Sequence, residues 1–272
     1  MKIFNKKFTK LKYFKKEFLT NTPFPYLIMD NFLAHSFYKK IVYEISQINK
    51  KNTANKKGKS YNTKVEYNKW ISKNVNLPKN ITQLLNSLNS KTWIKNLEQL
   101  SDIKYLVGVK ILNKDMSNFH SMGESGFLGS HVDHSAEPLT GYPHVMNIIL
   151  FLTENWTKNL GGNTVFYNSE GNKIKKKIFY KPNRAVIFLH TPYSFHGVTR
   201  IKNNKDLTRS TIYVDYFSKS LKPYEHIPLL FSNKWFLHDT FFKLPSILDY
   251  FKPGNSYYLK SKLNYFINRY FR

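Results

Sequence analysis

The sequence predicts a mainly β (α+β) domain, with an antiparallel sandwich or jelly-roll core of about eight strands and helices packed around it. Three observations predict this class. The hydrophobic period changes from helical to strand-like after Asp102, the strand-like segments are short and separated by turn residues, and 41% of the residues are hydrophobic, enough for a packed core. The predicted strands cover residues 104–112, 126–132, 144–153, 163–167, 174–180, 184–190, 193–199 and 208–217.

The strand predicted at 144–153 is apolar on both faces, so we expect it to be central in the sheet. Something must cover its outer face, and the helices predicted before residue 100 are the natural cover. The first of these begins near Ser36, the second has Asn80 as its N-cap, and a third follows it. Their apolar faces comprise Phe37, Ile41, Ile45 and Ile48, then Leu84, Leu85 and Leu88, then Trp93, Ile94, Leu97 and Leu100.

Three smaller features complete this part of the chain. A short strand is expected at Tyr26–Met29, after the rigid entry that Pro23 and Pro25 provide. Residues 49–64 contain almost nothing to bury and predict a mobile loop, which either covers a site or is simply solvated. Gly161 and Gly162 predict a turn with positive φ before the strand at 163–167.

We divide the chain into a basic amphipathic segment at 1–22, a domain at 23–220 and a basic, aromatic extension at 221–272. Within the domain, 30–100 form the helical support and 104–218 the jelly-roll core. Each end has two interpretations: its apolar stripe packs on the protein's own core, or it binds an anionic surface. Packing is favoured at the N-terminus. At the C-terminus, where a helix is expected at about 257–272, the two are evenly balanced.

The net charge is +26, from 43 Lys and Arg against 17 Asp and Glu. Such a field attracts polyanions such as nucleic acid or an anionic membrane surface. The competing explanation is a compositional bias of the genome toward Lys, Asn, Ile, Phe and Tyr codons, although Glu is scarce here. The chain has no cysteine, which excludes disulfides and thiolate metal sites. With neither a secretory signal nor a membrane span expected, we predict a cytoplasmic protein, peripheral at a membrane if the basic ends bind one.

One constellation carries chemistry. His131 and Asp133 point to the same side of a strand because side chains alternate faces, and His196 follows a later apolar strand. Two imidazoles and one carboxylate on one face of a metal suit a non-haem Fe(II) site. A single His-x-Asp pair among nine histidines is a weak signal, and it equally fits a solvated strand edge. Arg209 strengthens it, since a guanidinium can bind a carboxylate bidentately.

The segment from 104 to 218 resembles the 2-oxoglutarate/Fe(II)-dependent dioxygenases, in the prolyl 4-hydroxylase-like branch. The matching pieces are 126–128 with His131-x-Asp133, 147–152, Trp156, Gly161-Gly162, 182–188, His196-Gly197 and Arg209-Ser210. Pro23-Phe24-Pro25-Tyr26 and 30–33 also look like the start of such proteins. The sequence departs from the pattern at Thr153, where Asn is common.

The resemblance implies a double-stranded β-helix in which His131, Asp133 and His196 bind Fe(II), and Arg209 binds the distal carboxylate of 2-oxoglutarate. Asn147 and Phe151, in the matching run, and Thr211 and Tyr213, which share a strand face with Arg209, are assigned to the cosubstrate pocket. His120 and His190 are candidates for the shell around the ligands. His35, His134, His144, His226 and His238 are not expected to bind metal.

The resemblance further implies hydroxylation of an unactivated C–H bond with O2 and with ascorbate as reductant. The substrate stays open between peptidyl proline and a glycan or lipid precursor. The alternative is a non-catalytic basic jelly-roll protein that binds nucleic acid or an anionic membrane. The intact set of His131, Asp133, His196 and Arg209 argues against it, because a decayed enzyme is expected to lose one of the four.

Overall fold

The computed structural model describes residues 2–51, 58–72, 77–109, 117–137, 140–202, 207–220 and 240–243. Four α-helices lie in these ranges: α1 Lys15–Thr20, α2 His35–Lys51, α3 Lys79–Leu88 and α4 Lys91–Ser101. The strands are β1 Tyr26–Met29, β2 Gly58–Tyr61, β3 Glu66–Ser72, β4 Leu106–Gly108, β5 Ser117–Val132, β6 His144–Phe151, β7 Thr164–Tyr167, β8 Ile174–Ile178, β9 Arg184–Leu189, β10 His196–Val198, β11 Arg209–Ser218 and β12 Phe241–Phe242.

The strands form one curled antiparallel sheet, and β5 is its pivot. The main path runs β1-β9-β6-β11-β5-β10-β7-β8. The first part of β5, at 117–122, pairs with β11, and its last part, at 128–131, pairs with β10. The long strand therefore belongs to both halves of the curl, and its C-terminal end lies between them. A mainly β jelly-roll class is confirmed.

The predicted strands agree with the observed ones to within a few residues at most ends. Two differ more: β5 extends back to Ser117, and the strand predicted at 104–112 is the short β4, with residues from 110 to 116 outside the described ranges. Strand β6 is central, between β9 and β11, as its apolar faces predicted. Helices α2, α3 and α4 contribute their predicted apolar faces to the large buried cluster that also contains Ile148 and Leu150 of β6.

The N-terminal segment packs on this same core. It forms two short 3-10 turns and helix α1, and its buried side chains are Phe8, Leu11 and Phe18. All three belong to the cluster that holds Phe32, Phe37 and Trp93. The structure therefore shows the packing alternative for the apolar stripe at this end of the chain.

The loop predicted at 49–64 is wrong in part. Helix α2 continues to Lys51, and Gly58–Tyr61 form β2, which pairs with β3. Strand β3 in turn pairs with β5. Neighbouring strands satisfy the backbone of this hairpin, so a sequence with few apolar residues still forms strands there. Residues 52–57 lie outside the described ranges.

The N-cap prediction for α3 is also wrong. Pro78 is the N-cap residue, and Asn80 lies inside the first turn. The exposed N–H groups of that turn are satisfied by Glu44 of α2, whose carboxylate accepts bonds from the backbone N–H groups of Asn80 and Ile81, both at 3.0 Å. An acidic side chain from a neighbouring helix therefore replaces a local cap and complements the helix dipole.

Of the C-terminal extension, the structure describes 240–243. There β12 pairs with the end of β5, with Phe242 opposite His131. The helix predicted at about 257–272, together with His226 and His238, lies outside the described residues. None of the described helices is long and apolar enough to cross a membrane.

Asp30, just after β1, links that strand to β9. Its carboxylate accepts bonds from Arg184 Nε at 2.6 Å and from Lys181 Nζ at 2.9 Å. These bonds, chiefly the one from Arg184, lower its pKa from 3.8 to about 2. A carboxyl group with a depressed folded-state pKa stabilises the fold above its unfolded pKa, and this contribution disappears as the pH falls through the folded value.

We therefore expect Asp30→Asn to cost about 1 kcal/mol at neutral pH, a small value because the side chain is more than a third exposed. The difference from the unmodified protein should shrink between pH 4 and pH 2. Urea unfolding across that range measures it. Asp102→Asn, which removes a more exposed pair with Lys15, is the control. An equal loss at pH 2 and pH 7 would contradict this assignment.

Candidate active site

His131 and His196 are brought together by strand pairing. They are directly opposite each other on β5 and β10, and their ring centroids are 4.2 Å apart. Both side chains are buried, with 4% and 5% of their surface exposed. Gly197 permits this approach, because a Cβ atom there would lie 2.6 Å from the backbone oxygen of Leu128. Two residues far apart in sequence thus share one small volume.

Asp133 follows β5 and closes the group. Its Oδ1 lies 3.3 Å from Nε2 of His131, and its Oδ2 lies 3.4 Å from Nε2 of His196. The three side chains can each offer one ligand atom within 4.8 Å of the others. The prediction that these residues converge is what the structure shows. Their role as iron ligands stays a prediction.

Both imidazoles are oriented for metal binding. His131 Nδ1 lies 2.9 Å from the carbonyl oxygen of Gly129, and His196 Nδ1 lies 3.1 Å from that of Ser194. A carbonyl only accepts, so each Nδ1 carries the proton and each Nε2 keeps its lone pair toward Asp133. Backbone contacts therefore fix both tautomers in the ligating form.

The electrostatics agree with this orientation. Burial, and then the field of His131, lower the pKa of His196 to about 4, so the ring is neutral near pH 7. Burial opposes the ionisation of Asp133, but the neighbouring histidines, His196 first, hold its pKa well below the usual range. Two imidazoles and one carboxylate fit a divalent iron ion, with coordination positions left for other ligands.

Arg209, at the start of β11, lies in a second buried part of the site. It is 3% exposed, and its Nε donates to the carbonyl of Gly162 at 2.7 Å. Its guanidinium carbon lies 5.4 Å from the Phe151 ring centroid and 5.1 Å from that of Tyr180. Burial lowers its pKa to about 10. Among the described residues no carboxylate forms an ion pair with it, so the pocket holds a buried cation suited to an anionic ligand.

The turn predicted at Gly161 and Gly162 positions this arginine. Both glycines have positive φ, 73° and 64°. A Cβ atom on Gly162 would lie 3.0 Å from Cδ of Arg209 and 3.0 Å from the ring of Trp156. Thus glycine at 162 allows both the backbone conformation and the close approach of the guanidinium.

Thr153, the departure from the family pattern, has a structural role. Its hydroxyl donates to the Thr208 carbonyl at 2.6 Å and accepts from the Ser210 N–H at 2.8 Å. The Tyr180 hydroxyl lies 3.1 Å from the Thr153 hydroxyl and donates to the Ser210 carbonyl at 2.6 Å. These bonds hold the start of β11 beside the end of β6, and so hold Arg209 in place. Sequence analysis did not identify Tyr180.

The other predicted pocket residues lie on adjoining strands. Thr211 and Tyr213 alternate with buried Ile212 along β11, on the face of Arg209, as predicted. Thr211 pairs with Phe151 of β6 on one side of β11 and with His120 of β5 on the other side. The His120 ring packs on Tyr213 with centroids 3.9 Å apart. Its Nε2 is buried and finds no hydrogen-bond partner among the described residues, as expected for a pocket that receives a polar ligand.

Asn147 is placed beside the metal ligands rather than beside Arg209. Its Nδ2 donates to Asp133 Oδ2 at 3.2 Å and to Asp215 Oδ1 at 2.8 Å. His190, the other candidate for the surrounding shell, contacts the backbone oxygen of Asp133 through Nε2 at 3.1 Å. Asn147 therefore contacts the side chain of Asp133, and His190 contacts its backbone, so that both restrain the position of the carboxylate.

Sequence analysis missed a second cluster here. His134, His144 and Asp215 can also place one ligand atom each within 4.8 Å of the others. His144, not expected to bind metal, is a core residue that is fully buried beside this carboxylate. A signal existed: Asp215 continues the face of β11 that carries Arg209, Thr211 and Tyr213.

Asn147→Ala should weaken iron binding by roughly 10- to 100-fold, the usual effect of losing a partner of a metal ligand. The reason is that Asp133 Oδ2 loses the donor that orients it. Titration of the metal-free protein with Fe(II) under anaerobic conditions measures the affinity. Asn172→Ala, in an exposed turn, serves as the control. Equal affinity in the two variants would remove Asn147 from this role.

The comparisons with known proteins agree with this geometry. The sequence model of the 2OG-Fe(II) oxygenase superfamily matches residues 117–214. A search of curated protein sequences finds no match. Among solved structures, a Pseudomonas putida prolyl-4-hydroxylase is similar with a TM-score of 0.57 and 12% identity, covering 77% of this chain and 100% of that one.

Two further structures are similar at comparable levels. A Trichoplax adhaerens prolyl hydroxylase, solved with a peptide fragment of hypoxia inducible factor, gives a TM-score of 0.53 and 15% identity over 83% of this chain and 95% of its own. A Burkholderia pseudomallei oxidoreductase of the 2OG-Fe(II) oxygenase family gives 0.51 and 13%, over 76% and 90%. At these identities the structural similarity establishes the fold.

Proposed function

We propose that this chain, which the 2OG-Fe(II) oxygenase superfamily model matches at residues 117–214, is an oxygenase that hydroxylates an unactivated C–H bond of a peptide, with a prolyl residue as the first candidate. One observation carries the proposal. The Nε2 atoms of His131 and His196 converge on the Asp133 carboxylate, and the same β-curl holds a buried arginine that has no ion-pair partner among the described residues.

The residues divide the work between them. His131, Asp133 and His196 would hold Fe(II), which supplies oxygen activation and hydrogen abstraction when bound. Arg209 would anchor the far carboxylate of 2-oxoglutarate, with Phe151 and Tyr180 shielding the charge pair from water. His120, whose Nε2 has no hydrogen-bond partner within the described part of the chain, would lie along the same ligand. The protein's own contribution is therefore positioning and the exclusion of water.

Fe(II), 2-oxoglutarate and O2 follow from membership of the superfamily. Ascorbate as the reductant that keeps the iron ferrous is part of the proposal. A peptide substrate is supported by the similar prolyl hydroxylase that was solved with a peptide fragment. A glycan or lipid precursor remains the competing substrate, because loop residues set substrate choice and the fold does not.

A contact of the basic ends with a polyanion or an anionic membrane also remains a proposal. Phe8, Leu11 and Phe18 of the N-terminal stripe are buried in the core, which leaves this end its exposed lysines and Tyr13 for such a contact. The binding would then be electrostatic and strongly salt-dependent.

Succinate formation tests the function. The full chain is supplied with Fe(II), 2-oxoglutarate, ascorbate and O2, and is screened against proline-rich peptides, oligosaccharides and lipid-linked sugars. We expect a peptide to raise succinate formation above the uncoupled level and to gain one oxygen atom by mass spectrometry. Asp133→Ala should lose both signals, and N-oxalylglycine, an analogue of 2-oxoglutarate, should suppress them.

The other outcomes have distinct meanings. Stimulation by an oligosaccharide or a lipid precursor alone would replace the peptide in the proposal. Iron and 2-oxoglutarate binding with no succinate under any condition would favour the alternative, a binding protein of the same fold.

A further inference from the structure

The cluster of His134, His144 and Asp215 lies next to the predicted iron ligands. His134 follows Asp133 in sequence, and the Asn147 amide donates to both Asp133 and Asp215. His144 Nε2 is 3.6 Å from Asp215 Oδ1, and His134 Nε2 is 3.9 Å from Asp215 Oδ2. Both separations are too long for hydrogen bonds. They are close to those in the first site, where the imidazole nitrogens lie 3.3 and 3.4 Å from Asp133.

The two clusters share one construction. His144 Nδ1 lies 2.9 Å from the backbone oxygen of His134, so its Nε2 is directed at Asp215, just as carbonyls orient His131 and His196. Asn147 donates to Asp215 Oδ1 at 2.8 Å, as it does to Asp133. The second cluster thus has one imidazole oriented by a carbonyl, a second imidazole 3.9 Å from the carboxylate, and the supporting amide that it shares with the first cluster.

Burial makes the cluster suited to a cation. Asp215 is 2% exposed and His144 is 0% exposed. A buried carboxylate needs compensation by an opposite charge or by a proton.

We propose that His134, His144 and Asp215 bind a second divalent transition-metal ion next to the predicted iron site. Two histidines and one carboxylate are a common donor set for zinc, with a water molecule as the fourth ligand. The ion would tie the residue after Asp133 to β6 and β11, and so brace the chain segment that supplies the iron ligand. The inference does not depend on turnover, because bound metal can be counted without substrate.

Metal counting tests it. The full-length protein is stripped with a chelator, incubated with Zn2+ alone, separated from free metal and measured for metal per chain. We expect about two ions per chain in the unmodified protein, one for each ligand cluster. Asp215→Asn keeps the side-chain shape and can still accept from Asn147. It should remove one ion and leave the second. Asp133→Asn should also remove one ion, and the double variant should remove both.

Two controls separate the alternatives. His35→Ala changes a histidine at the start of α2, away from both clusters, and should retain both ions. His144→Ala must lose the same ion as Asp215→Asn. One ion in the unmodified protein, or two ions retained in Asp215→Asn and His144→Ala, would overturn the second site and leave a His–Asp–His network. Failure of the proposed function would show instead as absent succinate with normal metal content.

Discussion

Replacing any one of His131, Asp133 or His196 by alanine is expected to abolish 2-oxoglutarate turnover and to remove tightly bound iron. Each residue is predicted to supply one of the three protein ligands of this cluster, and the remaining two would leave the ion held mainly by solvent. Iron per chain after anaerobic reconstitution, together with succinate formation, measures both effects. The expected loss of turnover is complete within the sensitivity of the assay, and the iron lost is the ion that this cluster holds.

Folding defects are the main alternative explanation for such a loss. Each variant should therefore retain the thermal melting profile of the metal-free protein, which contains no bound ion to lose. His35→Ala should keep full iron content and turnover. Near-normal iron and turnover in all three ligand variants would eliminate this metal centre and the proposed function with it.

Arg209→Ala is expected to raise the apparent KM for 2-oxoglutarate while leaving iron binding nearly unchanged. Loss of a buried, charge-assisted pair costs roughly 2–5 kcal/mol. This corresponds to an increase of roughly 30-fold to several thousand-fold. The reason lies in the pocket, where the guanidinium is buried and fixed by Gly162 but faces no carboxylate among the described residues.

The matched control is Arg200→Ala, an arginine that packs on Phe127 and bonds to the Ser125 carbonyl. It should leave the 2-oxoglutarate titration unchanged. The apparent KM for 2-oxoglutarate of Arg209→Lys should lie between those of Arg209→Ala and Arg200→Ala, because lysine keeps the charge but loses the bidentate geometry. If Arg209→Ala titrates like the unmodified protein, the carboxylate anchor must be sought elsewhere in the chain.

The parts of the structure that were predictable rest on periodic, local signals. Short strand-like apolar runs predicted β6, β9 and β11, and the apolar faces of α2, α3 and α4 predicted the helical cover. The convergence of His131 with His196 was predictable because strand-end motifs in a curled sheet meet inside it. Gly161 and Gly162 predicted the turn with positive φ that supports Arg209.

The parts that were missed depend on partners distant in sequence. Strand β2 has few apolar residues, and it is held by pairing with β3, which in turn pairs with β5 and buries Trp70. Helix α3 begins where Glu44 of α2 can reach its first turn, so the local sequence alone wrongly predicted Asn80 as the N-cap residue. The Asp215 cluster requires β5, β6 and β11 to be adjacent, which is known only once the sheet order is known.

The position of β5 in both halves of the curl has a consequence for how the protein folds. Its pairing partners come from β3, β10, β11 and β12, and elsewhere contacts such as Leu33 with Asn183 join residues 150 positions apart. Such long chain closures form slowly. The three predicted ligands come together only after β10 has docked on β5, so early folding species cannot bind iron at this site. Iron capture would then mark the completion of folding, so added metal should stabilise the native state and slow unfolding without speeding the early folding steps.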